Sequence, residues 1–389
     1  MLKYRKAMKE KIIFFGGTFD PPHTEHIAEL KAALKETGAV KAVVMPTSVP
    51  PHKDTFYKAS DEDRFEMCRL SFGDLNAEIS DYEIKKGGKS YSFETLEYLK
   101  SVYPDKEVLF LMGTDMLASF KTWKNPERIL ECSTPLLCER TGDDEKKEVT
   151  LSRFERDFGR KAYALNYVGK DLSSSEIKLR ILLGLAVDGM VKNAVNEYIG
   201  GHFVYKPDKF FTFVRENEKP KRVEHTLGVM LMAKELAREK GVPQNKALLA
   251  ALLHDSGKYL SAANFPDCEI PFGTPEPVVH QYLGAYIAEK VLGVGDEEII
   301  DAIRYHTTGK ENMSLLGKII FTADMLERGR NYDGVEKLRQ ITKENFENGF
   351  KAALCRSFDF VKESGKPVCD LTQKAYDYYF KQETTNGSN

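Results

Sequence analysis

The sequence predicts an α/β protein in two parts: a parallel-sheet α/β/α sandwich over residues 11–205, then an all-helical bundle over residues 206–382. Three observations predict it. At 389 residues the chain is long enough for two or three cores rather than one. Up to about Tyr167, short apolar runs alternate with longer amphipathic segments, the pattern of βα units feeding a parallel sheet. After Gly200-Gly201 the strand signals fade and long helical spacings take over.

In chain order, Ile12 to Phe15, Ala42 to Met45, Val108 to Met112 and Pro135 to Cys138 read as buried strands. Between them, Glu25 to Thr37, Asp61 to Phe72, Ser92 to Ser101 and Pro126 to Glu131 read as helices. Right-handed crossovers then place helices on both sheet faces, and ligands in such folds bind beyond the carboxyl ends of the strands. Gly200-Gly201 with Lys206-Pro207-Asp208 is the best turn cluster for a boundary, placed near Tyr205. Beyond it, Arg222 to Lys240, Asn245 to His254, Glu276 to Leu292, Glu297 to Tyr305 and Leu315 to Glu327 have helical spacing. Glu336 to Lys381, with Phe346, Phe350, Phe358 and Phe360, reads as further bundle packing, and Glu383 to Asn389 as a frayed polar tail.

Composition narrows the function. A formal charge of −2 gives no broad electrostatic reason to bind nucleic acid or an anionic membrane, so any polyanion handled should be small. The six cysteines are scattered without a C-x-x-C pair, which fits reduced thiols rather than a disulfide framework or a zinc ribbon. The apolar stretch after the basic start is too short for a signal-peptide core, and no run approaches bilayer length. A cytoplasmic protein is expected, with a homo-oligomer allowed.

The first strand runs into Gly16-Gly17-Thr18-Phe19-Asp20-Pro21-Pro22-His23-Thr24-Glu25-His26. Paired glycines let the backbone pass close to a ligand, and the following helix start favours a phosphate. His23 and His26, three apart, share a helix face where they can donate to phosphate oxygens, bind a metal, or simply cap the helix.

This segment resembles the nucleotidyltransferase signature G-x-F-x-P-x-H-x-G-H, in the form of bacterial nicotinate-mononucleotide adenylyltransferases. Four further segments in the right order extend the resemblance. They are Pro50-Pro51-His52-Lys53, Ser90-Tyr91-Ser92-Phe93-Glu94-Thr95-Leu96, Phe110-Leu111-Met112-Gly113-Thr114-Asp115 with the later Trp123, and Ser173-Ser174-Ser175-Glu176-Ile177-Lys178. The resemblance implies a Rossmann-like nucleotidyltransferase fold and adenylyl transfer from ATP to nicotinate mononucleotide, giving deamido-NAD and pyrophosphate. It implies His23 and His26 as catalytic phosphate donors, and Gly16, Gly17, Thr18, Phe19, Lys53, Asp115, Ser173, Ser174 and Lys178 around ATP with Mg²⁺. Tyr91, Ser92, Thr95 and Trp123 would hold the nicotinate. Two positions depart from the pattern. Glu25 stands where the motif has glycine, unfavourable beside a polyanion unless it points away, and Lys178 replaces an arginine, losing its bidentate fork.

The second part carries His225, His254-Asp255, His280, His306 and Asp324, each in or at the end of a predicted helix. Six such groups converging in a bundle core would be costly unless they bind metal. The pair His254-Asp255 is the most telling, because it ends an apolar run from Ala247 to Leu253. These segments resemble the HD-domain phosphohydrolases of the YqeK type. The resemblance implies an all-α HD domain and symmetrical hydrolysis of diadenosine tetraphosphate to two ADP. It further implies two divalent metals on those six residues (iron foremost, manganese or zinc as alternatives), with Asp255 catalytic and Lys258, Thr307, Arg328 and Arg330 on phosphates. An alternative remains for each half: a nucleotide sensor in place of the transferase, and another phosphate ester in place of the dinucleotide.

Overall fold

The computed structural model describes residues 9–48, 57–141, 145–365 and 368–381. The chain divides into two compact units between Lys206 and Pro207, with Leu182–Leu185 grouped with the second.

The first unit is built on a six-stranded sheet: β1 (Lys11–Gly17), β2 (Lys41–Pro46), β3 (Ala77–Ile79), β4 (Glu107–Gly113), β5 (Thr134–Arg140) and β6 (Tyr163–Gly169). The spatial order is β3-β2-β1-β4-β5-β6 and every pairing is parallel. Alternate residues feed two separate cores. Ile12, Phe14, Val43, Met45, Val108 and Phe110 pack on one face, while Ile13, Phe15, Ala42, Val44, Leu109 and Leu111 pack on the other. Burial on both faces is why the central strands read as continuous apolar runs. β3 and β6 were not expected. β3 has only three residues, and β6 is an edge strand whose residues are largely exposed, so neither presents a continuous run. The chain order reverses across β1 and β4, the switch point where such sheets open a crevice at their carboxyl ends.

The second unit is helical. Lys209–Asn217, Pro220–Lys240, Gln244–Leu253, Glu276–Tyr286, Glu297–Arg304 and Leu315–Leu326 are followed by Val335–Glu344, Phe346–Glu363 and Asp370–Phe380. Proline at the first turn opens Pro220–Lys240 and Gly241, in the left-handed region, closes it. The segment expected as one helix from Glu276 to Leu292 changes to π-type turns at Ile287–Val291. Phe321, Phe350, Ala353, Leu354 and Ala375 form a core that holds the last helices on Leu315–Leu326. Among the described residues, no helix is long and apolar enough to cross a membrane.

Candidate active sites

In the first unit, β1 delivers the glycine loop and the helix Thr24–Thr37 leaves it. A Cβ on Gly16 would lie 2.7 Å from the Phe14 ring, and one on Gly17 would lie 3.0 Å from the Phe19 ring. The glycines let the loop pass close over both rings, which a side chain at either position would have to displace. His23 is the N-cap residue of this helix and His26 its third residue, so the two lie side by side as their spacing suggested and also cap the helix. The two form a reciprocal capping box: the His26 N–H donates to His23 Nδ1 (3.3 Å) and the His23 N–H donates to His26 Nδ1 (3.2 Å). Because each Nδ1 accepts, a neutral ring at either position carries its proton on Nε2. Their rings stack with centroids 3.5 Å apart. Burial, helped by the positive charge of Arg140, lowers the His23 pKa to about 3, so at neutral pH it is an uncharged donor.

Glu25 is buried, and its Oε2 accepts from the Tyr167 hydroxyl (2.8 Å) and the Lys170 N–H (2.9 Å). Its carboxylate is thus held by groups at the end of β6. Lys178 is buried and donates to Asp20 Oδ2, while Asp20 Oδ1 accepts from Ala59 N–H and the Tyr205 hydroxyl. The glycine loop is further pinned by Arg64, fully buried, which donates to the Thr18 carbonyl at 2.7 Å. Ser173 accepts from the Glu176 N–H at the start of the helix Ser174–Leu183, and Ser174 donates to the Pro21 carbonyl (2.8 Å), docking that helix start on the loop. Asp115 lies exposed in the first turn of Thr114–Ala118. Tyr91 caps the helix Ser92–Val102, which carries Ser92 and Thr95; the buried Thr95 hydroxyl donates to Glu83 Oε1 at 2.6 Å. Trp123, half-buried, packs on Phe110 and Phe120. Lys53 lies outside the described residues.

The second unit gathers all six expected ligands. His225, His254 and Asp255 offer atoms within 4.8 Å of one another, as do Asp255, His280 and His306, so Asp255 belongs to both triads. Its Oδ2 lies 3.5 Å from His254 Nε2, and its Oδ1 lies 3.1 Å from His280 Nε2 and 3.6 Å from His306 Nε2. Asp324 Oδ1 joins the first triad from the His225 side, 3.0 Å from His225 Nε2.

The surroundings orient these rings. His254 Nδ1 donates to the Ala251 carbonyl (2.6 Å), and His306 Nδ1 donates to the Ile303 carbonyl (2.7 Å), because a carbonyl only accepts. His225 Nδ1 faces the Glu327 carboxylate at 3.1 Å in the same way. Each neutral ring thereby turns a bare Nε2 lone pair inward. His225 Nε2, His254 Nε2 and Asp255 Oδ1 are buried without a hydrogen-bond partner. A lone pair facing a carboxylate at 3.0 Å repels it unless a proton or a cation lies between. The donor set therefore fits divalent cations. Burial lowers the His254 pKa to about 3; it also lowers that of His280, against the pull of Asp255. Burial works to raise Asp255, yet His254, His280 and His306 hold it well below the carboxylate range. For Asp324 burial is likewise overcome, by His225 and Arg330. His225 goes the other way: burial opposes protonation, but Asp324 and Glu327 raise its pKa.

Cations ring the cluster. Lys258 Nζ lies 3.2 Å from His280 Nε2 and 3.7 Å from Asp255 Oδ1. Arg330 donates to both the backbone carbonyl and the carboxylate of Asp324. Thr307 Oγ1 lies 3.1 Å from His280 Nε2 and 3.0 Å from His306 Nε2. Arg328 is exposed just past the helix Leu315–Leu326. Three residues escaped the sequence reading. Arg222 NH1 sits 2.8 Å from Asp255 Oδ2, and its i,i+3 spacing from His225 was the available signal. Glu327, the residue that closes the helix three positions after Asp324, orients His225. Glu218 is buried with Oε1 unpartnered; burial pushes its carboxyl up to about 7, Asp255 adding to this while Thr226 opposes it.

Residues 14–180 match the family described as Cytidylyltransferase-like, and residues 222–329 match the HD domain family. Over 369 residues the chain is 31% identical to the "Probable nicotinate-nucleotide adenylyltransferase/Ap4A hydrolase" of Mycoplasma genitalium, covering 92% of this chain and 100% of that one. The chain belongs to this fusion family. Single-domain relatives match the halves of the fusion. The "Bis(5'-nucleosyl)-tetraphosphatase, symmetrical" of Halalkalibacterium halodurans is 36% identical over 176 residues, 43% of this chain and 94% of that one. The "Probable nicotinate-nucleotide adenylyltransferase" of Citrifermentans bemidjiense is 32% identical over 206 residues, 49% of this chain and 95% of that one.

Proposed function

We propose that the chain is a bifunctional enzyme: its first unit transfers adenylyl from ATP to nicotinate mononucleotide, and its second hydrolyses diadenosine tetraphosphate symmetrically to two ADP. The observation that carries the hydrolase is the convergence of five ligands on two triads sharing Asp255, with Asp324 beside His225 as a sixth and three imidazole Nε2 atoms turned inward. Two divalent cations bound there would supply Lewis-acid activation of water and of phosphate oxygens; iron, manganese and zinc all suit a mixed nitrogen and oxygen shell. The chain's own share is charge and alignment. Arg222, Lys258 and Arg330 each sit on a site carboxylate or imidazole, and once cations hold those groups the three are placed to take phosphate oxygens. Thr307 adds a hydroxyl donor, and exposed Arg328 a further charge.

For the transferase, the reaction needs no protein nucleophile, since a phosphate oxygen of one substrate attacks the α-phosphorus of the other. The residues must align two anions and stabilise charge. His23, uncharged, and His26, each with its Nδ1 taken up by a backbone N–H and its Nε2 left to donate, suit that task, with Mg²⁺ accompanying the triphosphate. Tyr91, Ser92, Thr95 and Trp123 would hold the pyridine ring, and Gly16, Gly17, Thr18, Phe19, Lys53, Asp115, Ser173 and Ser174 would line the ATP side. Lys178 would act through the loop by holding Asp20. That ion pair also favours the rival reading, a first unit that binds nucleotide without turning it over. Pyrophosphate release from ATP plus nicotinate mononucleotide decides between them: steady release supports the transferase, and nucleotide binding with none supports the sensor. For the second unit, metal-reconstituted protein is given dinucleoside polyphosphates, nucleoside monophosphates and cyclic dinucleotides; preference for anything but the tetraphosphate would overturn the assignment.

A further inference from the structure

Beside the metal-ligand cluster stands an aromatic ring that the hydrolytic chemistry does not use. Tyr259 is 43% exposed although it follows the buried Asp255 by only four residues. Its position is built, because the turns after His254 are pressed on the helix Glu276–Tyr286 at Gly257. A Cβ there would meet the His280 carbonyl at 2.6 Å and the Gly284 nitrogen at 2.7 Å. Arg222, whose NH1 is 2.8 Å from Asp255 Oδ2, also lies beside the Tyr259 side chain. The Lys219 ammonium lies 4.8 Å from the ring centroid, and the preceding residue, Lys258, touches His280. One ring thus stands close to the cluster, with the Lys219 ammonium over it, the Arg222 guanidinium reaching from it to Asp255, and Lys258, its neighbour in sequence, on His280.

We propose that Tyr259 is the stacking platform for a nucleobase of the substrate, with Arg222 and Lys258 contacting the phosphates that run from that nucleoside to the cluster. This rests on the reading of the second unit as a dinucleoside tetraphosphate hydrolase. A base offers a flat π-face that an exposed aromatic ring accepts regardless of the base's identity, while the phosphates supply the anions that the intervening cations need. Tyr259 is thus a binding residue with no part in bond breaking.

The test compares full-length, metal-loaded wild type with Tyr259→Leu and Tyr259→Phe. It measures KM for diadenosine tetraphosphate, the inhibition constant of inorganic pyrophosphate, which has no base, and metal content per chain. Tyr259→Leu should raise KM roughly tenfold with pyrophosphate inhibition and metal content unchanged, and Tyr259→Phe should stay within about twofold of wild type. An unchanged KM in Tyr259→Leu overturns the platform, as does an equal weakening of pyrophosphate or a loss of metal, which would place the effect on the cluster through Arg222. Failure of the wild type to cleave the tetraphosphate would instead overturn the hydrolase reading.

Discussion

Single residues set the protonation states on which both sites depend. Glu327 fixes His225 by accepting from its Nδ1, so Glu327→Gln should lower metal affinity about 10- to 100-fold while the fold persists. Metal titration of the stripped variant checks this, and wild-type affinity would show that Glu327 does not orient the ligand. His23 offers a pH test. Its folded pKa, about 3, lies below the ordinary 6.5, so the unfolded chain binds the extra proton between these values. The stability that depends on this neutral ring is whole above pH 6.5 and declines as pH falls towards 3, by up to about 1.4 kcal/mol per pH unit. Denaturant unfolding of wild type and His23→Gln from about pH 7 to about pH 4 should show the wild type losing more stability on acidification; parallel curves would mean that His23 is charged when folded.

At the level of elements, Gly257 couples the turn carrying Asp255 to the helix carrying His280. Gly257→Ala must push backbone atoms apart, at a cost of about 1–3 kcal/mol, and should lower metal occupancy together with thermal stability. Retained occupancy at wild-type stability would mean that the contact is looser than its geometry. What the sequence disclosed follows the same physics. β1, β2, β4 and β5 were legible because burial on both faces makes them unbroken apolar runs, whereas the exposed edge β6 lacks that mark. The pair His254-Asp255 was legible because packing alone gives no reason to end the apolar run Ala247 to Leu253 in an imidazole and a carboxylate, and it drew the other four ligands into view. Glu327 was not legible, and Arg222 only through its spacing of three from His225, since a charge that holds a ligand looks in sequence like one that faces water. Nor was the Asp20–Lys178 pair, whose members are 158 positions apart and meet only once the sheet is formed.

At the scale of the whole molecule, two chemistries rest on different residues of one chain. On the proposed reading, the hydrolase works through buried imidazoles and carboxylates that hold cations, and the transferase through two histidines at a helix start. Stripping divalent metal with a chelator, then restoring Mg²⁺ alone, should leave pyrophosphate release near its starting rate while tetraphosphate hydrolysis stays depressed until manganese or iron is added. Simultaneous recovery of both on Mg²⁺ would contradict the distinction. The most direct measurement is His254→Ala, assayed for both reactions in protein shown to be folded. Hydrolysis of diadenosine tetraphosphate should vanish while pyrophosphate release from ATP and nicotinate mononucleotide continues at the wild-type rate; loss of both, or survival of hydrolysis, would contradict the division of labour between the two sites.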